Sequence, residues 1–113
     1  MRRALAATAL GLLALASPAL AVTRDDVASE IRRVFGPAAP RALRIAHCES
    51  RLNPSAVHRN RNGTKDWGTF QLNDGGTLQS LGLTRAQALD YQLNIQAAYR
   101  LYKMRGFRPW VCR

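Results

Sequence analysis

Two cysteines constrain this chain more than any other feature. Cys48 and Cys112 are the only cysteines in 113 residues, and they stand 64 residues apart. If they are joined, the segment that carries Cys48 must end against the C-terminal segment, and most of the chain closes into one loop. The loop-entropy argument puts the stabilisation from such a bridge at roughly 4 kcal/mol, as an upper figure. No Cys-x-x-Cys pair and no His/Cys ligand spacing is present, so neither zinc nor any other metal is expected.

The start of the chain bears on whether that bridge can form. Arg2 and Arg3 give a positive beginning, and Ala4 to Ala16 form an apolar run too short to span a bilayer. Ser17-Pro18 breaks the run, and Ala19-Leu20-Ala21 is a small-x-small cleavage triplet. An uncleaved anchor or a buried helix is the alternative, but all three features of a signal peptide are in order. Residues 1–21 are therefore expected to be a signal peptide cleaved after Ala21, with residues 22–113 as one mature domain. Export to the periplasm or beyond favours a bridge between Cys48 and Cys112. So does size, because a domain this small buries only about 60% of its unfolded surface and often needs a covalent staple.

Charge narrows the partners. Without Arg2 and Arg3 the balance is 15 basic residues against seven acidic ones. A basic exported domain suits an anionic partner such as a wall polymer. No helix-turn-helix, RNA-binding or zinc-finger pattern occurs, so nucleic acid is not expected. The basic residues are scattered, so a plain cationic surface is an equal reading.

Periodicity predicts helices. Thr23 is a candidate N-cap, with Asp25 and Asp26 in the first turn. Val27, Ile31, Val34 and Phe35 then share one face until Gly36-Pro37. A second helix is expected from Pro40 to Leu52. Ala42, Ile45, Cys48, Glu49 and Leu52 fall on one side of it, and Arg44, His47 and Arg51 on the other. Asp74-Gly75-Gly76 reads as a flexible turn, and Thr77 to Leu83 as a short helix or turn. Thr84 with Gln87 makes a capping box over Arg85 to Leu89. Tyr91 to Met104 has apolar residues on most sides, which predicts a central buried helix ended by Gly106. Phe107, Pro109, Trp110 and Val111 then pack back before Cys112, with Trp110 in the core or bordering a cleft.

Chemistry concentrates between Cys48 and Asn73. Glu49 sits on an apolar helix face near a helix C-terminus, and both conditions favour its protonated form. A carboxyl group kept protonated near neutral pH can serve as a general acid. The alternative is a glutamate at the rim of that face, solvated or paired with an arginine. Val57 to Asp66 reads as a short hairpin turned at Asn62-Gly63, with Asp66 on the returning strand. Asp66 either caps nearby backbone or joins Glu49 as the second carboxylate of a glycosidase. A calcium loop is not expected, because the regular acidic ligands are missing and Arg59, Arg61 and Lys65 crowd the segment.

The run C-E-S-R-L-N-P-S-A-V-H-R-N-R-N-G-T-K-D-W-G-T-F-Q-L-N resembles the active-site segment of the lysozyme-like superfamily. Its E-S-x-x-N-P-x-A and G-T-F-Q-L-N blocks look like those of soluble lytic transglycosylases, and the whole run is similar without a gap to that of C-type lysozymes. The eight-cysteine framework of C-type lysozymes is absent. The resemblance implies that Glu49 is the general acid and Asp66 the second carboxylate. It places Ser50, Asn60, Gln71 and Asn73 at polar cleft positions, and Gln71 and Asn73 can equally hold the hairpin in place. Trp67 is expected to fill core with one edge toward the sugar.

The expected fold is an α-rich α+β, lysozyme-like domain of three to four helices and one short β-hairpin. The implied activity is cleavage of the β-1,4 bond between N-acetylmuramic acid and N-acetylglucosamine in peptidoglycan, of lytic transglycosylase type. A hydrolytic lysozyme and a non-enzymatic wall-binding module are the alternatives. The expected partners are peptidoglycan glycan strands and anionic wall polymers, bound by a monomer without cofactor or lasting membrane insertion.

Overall fold

The computed structural model describes residues 20–112, so the expected signal peptide lies, through residue 19, outside the described residues. Helix α1 spans Arg24–Phe35 and begins as its sequence dictates. Thr23 Oγ1 accepts the Asp26 N–H at 3.1 Å, and the Asp26 carboxylate accepts the Thr23 N–H at 2.8 Å. Gly36, at φ 54°, ends α1. Gly36–Ala38 then forms a single 3-10 turn that leads straight into α2, Ala39–Ser50.

Helix α2 stops two residues short of the expected Leu52. Arg51 and Leu52 both take left-handed backbone angles, φ 54° and 59°. The Arg51 N–H closes on the His47 carbonyl, which satisfies an acceptor the helix end would leave bare. The Asn53-Pro54 step follows.

The hairpin is present, with β1 at Val57–Arg59 and β2 at Lys65–Trp67. The structure adds a third strand, β3, at Leu72–Asn73, giving an antiparallel sheet of order β1-β2-β3. The chain turns back between β2 and β3 because Gly68 and Gln71 both have positive φ, 76° and 52°. A strand of two residues carries no alternation to read, which is why sequence patterning does not reveal it.

Two single-turn helices follow, α3 at Thr77–Ser80 and α4 at Arg85–Ala88, the latter under the expected Thr84/Gln87 capping box. Helix α5 spans Tyr91–Arg105, with Asp90 as N-cap and Gly106 at its end. It is less buried than expected. Asn94, Ile95, Ala97, Ala98 and Leu101 are buried, whereas Leu93 and Met104 are exposed and Tyr91, Tyr99 and Tyr102 are half-buried. The helix packs along α1 on one side, and amphipathic tyrosines cover its flank.

The core draws on every long element. Val27, Ile31 and Phe35 come from α1, Ile45 and Ala46 from α2, Ile95 and Ala98 from α5. Phe35 is the hub, stacked on Phe70 at 5.4 Å and edge-on to Tyr99 at 5.2 Å. Phe107 packs on Tyr102 at 4.3 Å, and Trp110 meets Phe70 edge-on at 5.7 Å. These rings bring the C-terminal segment back onto the core, as the sequence predicts for Phe107 and Trp110, whereas Val111, expected to pack with them, is exposed. Cys48 and Cys112 are bridged, with 5.7 Å between their Cα atoms.

Candidate active site

A cleft of about 520 Å³ opens where the end of α2, the sheet and the C-terminal segment meet. Glu49 enters it from α2, Asp66 from β2, Leu72 and Asn73 from β3. Gln71, Thr77 and Leu101 complete that side, and Pro109 to Cys112 form the other wall.

Glu49 is half-buried on the penultimate residue of α2. Burial, which penalises the charged form, raises its pKa from 4.5 to about 7. The negative charge of Asp66 pushes the same way, and the nearby Cys112 main-chain N–H pushes back. An arginine partner is not what the structure shows. Among the described residues the cleft wall carries no basic side chain.

Asp66 is half-buried, and the hydrogen bond it accepts comes from the Asn73 side chain, Nδ2 to Oδ1 at 2.8 Å. The two residues are paired in register across β2 and β3. Asn73 Nδ2 also donates to Thr64 Oγ1 at 2.9 Å, and its carbonyl oxygen accepts the Gly75 N–H at 2.8 Å. Asn73 is therefore fixed on both ends of its amide and orients Asp66. Gln71 lines the cleft with its Nε2 committed to the carbonyls of Ala56 and Gly68, at 3.1 and 3.0 Å.

The other residues singled out from sequence stand outside the cleft wall, Trp110 excepted. The Ser50 hydroxyl donates to the carbonyls of Ala46 at 3.1 Å and Thr69 at 2.7 Å, tying the end of α2 to the β2–β3 connection. Asn60 sits in the hairpin, its amide donating to Thr64 Oγ1 at 3.2 Å, outside the cleft wall. Trp67 lies on the sheet face opposite Asp66, since neighbours on a strand alternate. Its Nε1–H donates to Asp74 at 3.2 Å, and Arg85 lies over its ring at 5.8 Å. Trp110 is both core and cleft, buried against Phe70 with its Nε1–H on the Phe70 carbonyl at 3.0 Å while it lines the wall.

Two residues that sequence reasoning passed over hold this arrangement together. Asn94 is fully buried on α5. Its Nδ2 donates to the carbonyls of Trp67 at 3.0 Å and Ala88 at 2.9 Å, and its Oδ1 accepts the Phe70 N–H at 2.9 Å. Those bonds pin the chain on both sides of the β2–β3 connection, directly beside Asp66 and Gln71. The signal was an asparagine between Leu93 and Ile95, one turn from Ala97 and Ala98, on a face that should have been wholly apolar. Asp74 is the second, in what reads as a flexible turn. Its carboxylate accepts the Lys65 N–H at 2.9 Å and Arg85 Nε at 3.0 Å besides Trp67, so that the turn is clamped. These donors hold Asp74 below the usual carboxylate range, the Lys65 N–H foremost.

A half-buried carboxyl that stays protonated near neutrality and a carboxylate from a neighbouring sheet, both lining one open cleft, define a site suited to breaking glycosidic bonds. Residues 35–112 match the family model described as the lysozyme-like domain, and the chain belongs to that family. The match takes in α2, the sheet, α5 and every cleft residue, and leaves most of α1 outside. The family implies a peptidoglycan-related glycosidase activity. No curated protein matches the chain.

Proposed function

We propose that the protein is an exported lytic transglycosylase that cuts the β-1,4 bond between N-acetylmuramic acid and N-acetylglucosamine. The observation that carries this reading is Glu49 half-buried in the cleft beside Asp66, where burial pushes its pKa up to about 7. A group poised there can both give and take a proton at neutral pH.

Glu49 first donates its proton to the glycosidic oxygen as the bond to the anomeric carbon breaks. The N-acetylglucosamine side leaves with a free hydroxyl. Positive charge developing at the anomeric carbon is stabilised by the substrate's own N-acetyl group, with Asp66 nearby. The 6-hydroxyl of the same muramic residue then attacks the anomeric carbon and returns its proton to Glu49. One carbon–oxygen bond breaks, another forms, and no water is consumed.

Asp66 supports a second reading. A carboxylate held in place by Asn73 and lining the same cleft suits a lysozyme, in which water takes the place of the 6-hydroxyl. Mass spectrometry of digested walls separates the two. The expected product is a 1,6-anhydro end, about 18 Da lighter than a hydrated end by the water not added. Asp66→Asn is expected to weaken turnover without abolishing it. Hydrated ends alone, with a dead Asp66→Asn variant, would establish the lysozyme instead.

A further inference from the structure

Cys48 immediately precedes Glu49 on the last turn of α2, and Cys112 stands in the opposite wall of the cleft. The bond between them therefore ties that wall to the residue before the acid. The C-terminal segment has its last anchor in the core at Trp110. Val111 beyond it is 91% exposed. Beyond Trp110, the bridge is what ties the half-buried Cys112 to α2. Cys48 is itself exposed, so the bond lies open to thiols.

We propose that this bridge positions the acid: it holds Cys112 and its main-chain N–H beside the Glu49 carboxyl and closes the wall over it. Cys112 is a positioning residue that acts through Glu49, and the oxidation state of the bridge sets whether the cleft is competent. The inference rests on reading Glu49 as the proton donor.

The direction of the effect follows from what surrounds Glu49. Burial is the largest cause of its raised pKa, Asp66 of β2 the next, and the Cys112 N–H an opposing one. The charged groups of its own helix, Arg44, His47 and the neighbouring Arg51, are exposed, and α5 brings uncharged Leu101 to the wall. Releasing Cys112 lets water reach Glu49, which removes part of the dominant cause, and the lost N–H offsets it only in part. The pKa should fall toward 4.5. A bridge that merely shortens the unfolded chain's reach changes melting temperature and leaves this pKa alone.

The test is a carbon-detected NMR titration of Glu49 in the bridged protein and in the Cys48→Ser/Cys112→Ser variant, well below both melting points. The expected result is a midpoint near 7 in the first and at least one pH unit lower in the second. An unchanged midpoint in a folded variant would overturn the proposal. A second measurement needs only the bridged protein. The Cys112 amide proton shift should titrate with the same midpoint as Glu49 and stay flat in Glu49→Gln, whereas a flat response in the unsubstituted protein would overturn the proposal. Both readouts are independent of activity, so a protein that titrates as expected but leaves walls intact would refute the transglycosylase reading and not this one.

Discussion

Glu30 and Glu49 are both sunk into the surface, and their partners set them apart. Arg33, one turn along α1, reaches back with Nε at 3.0 Å and with Nη2 to the Glu30 carboxylate, and this pairing holds Glu30 below its usual range. Glu49 has no such cation among the described residues, and burial raises it to about 7. The activity should therefore fall about tenfold per pH unit above roughly 7, as the acid loses its proton. Glu49→Gln should lower turnover on the order of 10² or more at the optimum, measured by wall clearance. Stability gives an independent reading. An acid whose folded pKa is raised binds more protons folded than unfolded between about 4.5 and 7, so stability is full below that window and lost as pH rises through it. Glu49→Gln should stabilise the fold at pH 8 by about 1–2 kcal/mol, once solvent screening of a half-buried group is allowed for, and leave it unchanged at pH 4. Urea titration at the two values checks this. Helical spacing made the Glu49 face legible, but not the lack of a basic neighbour among the described residues, since that depends on which distant segments form the cleft. Asp66 and Trp67 show the same limit from the other side. Adjacent strand residues cannot share a face, so a reading that turns both toward a sugar must give one of them only an edge.

Among the elements, the join between α5 and the sheet decides how well the site is built. Gly68 lies so close to it that a Cβ there would stand 2.2 Å from the Ala88 carbonyl and 2.5 Å from Asn94 Nδ2. Its φ of 76° adds backbone strain to any substitution. Gly68→Ala should push Asn94 off its three partners and lower both stability and activity. Asn94→Ala leaves the Phe70 N–H buried without an acceptor and should cost about 2–3 kcal/mol in urea titration. Asn94→Asp keeps the acceptor for Phe70 but turns the Trp67 and Ala88 carbonyls against a carboxylate, so it should not rescue the loss. Helix starts were legible because caps are local: Thr23 with Asp26 and Thr84 with Gln87 each close within four residues. The third strand was not, because two residues carry no alternation, and the α5 clamp was not, because it is made of contacts 24 and 27 residues apart that no window along the chain samples.

Across the whole molecule, charge and covalent closure act together. The sequence carries 17 basic residues against seven acidic ones, and the cleft wall itself holds carboxyl groups and no described cation. The positive charge therefore acts outside the site. It should raise the local concentration of the protein on anionic wall polymer and do nothing for the bond-breaking step. Clearance of whole walls should decline as salt rises past about 0.15 M, where the screening length is roughly 8 Å, while turnover of a short uncharged glycan fragment stays level. A level response on whole walls would leave the charge with no part in binding. The cleft runs in sequence from Glu49 to Cys112, and its second wall is supplied by Pro109 to Cys112. A chain made from its N-terminus onward thus owns its acid long before it owns the pocket that tunes it. Until residue 112 has been added and has closed back on residue 48, the second wall beside Glu49 is missing, and on the reading of Glu49 as the acid every nascent copy should pass through an interval in which it does not cut.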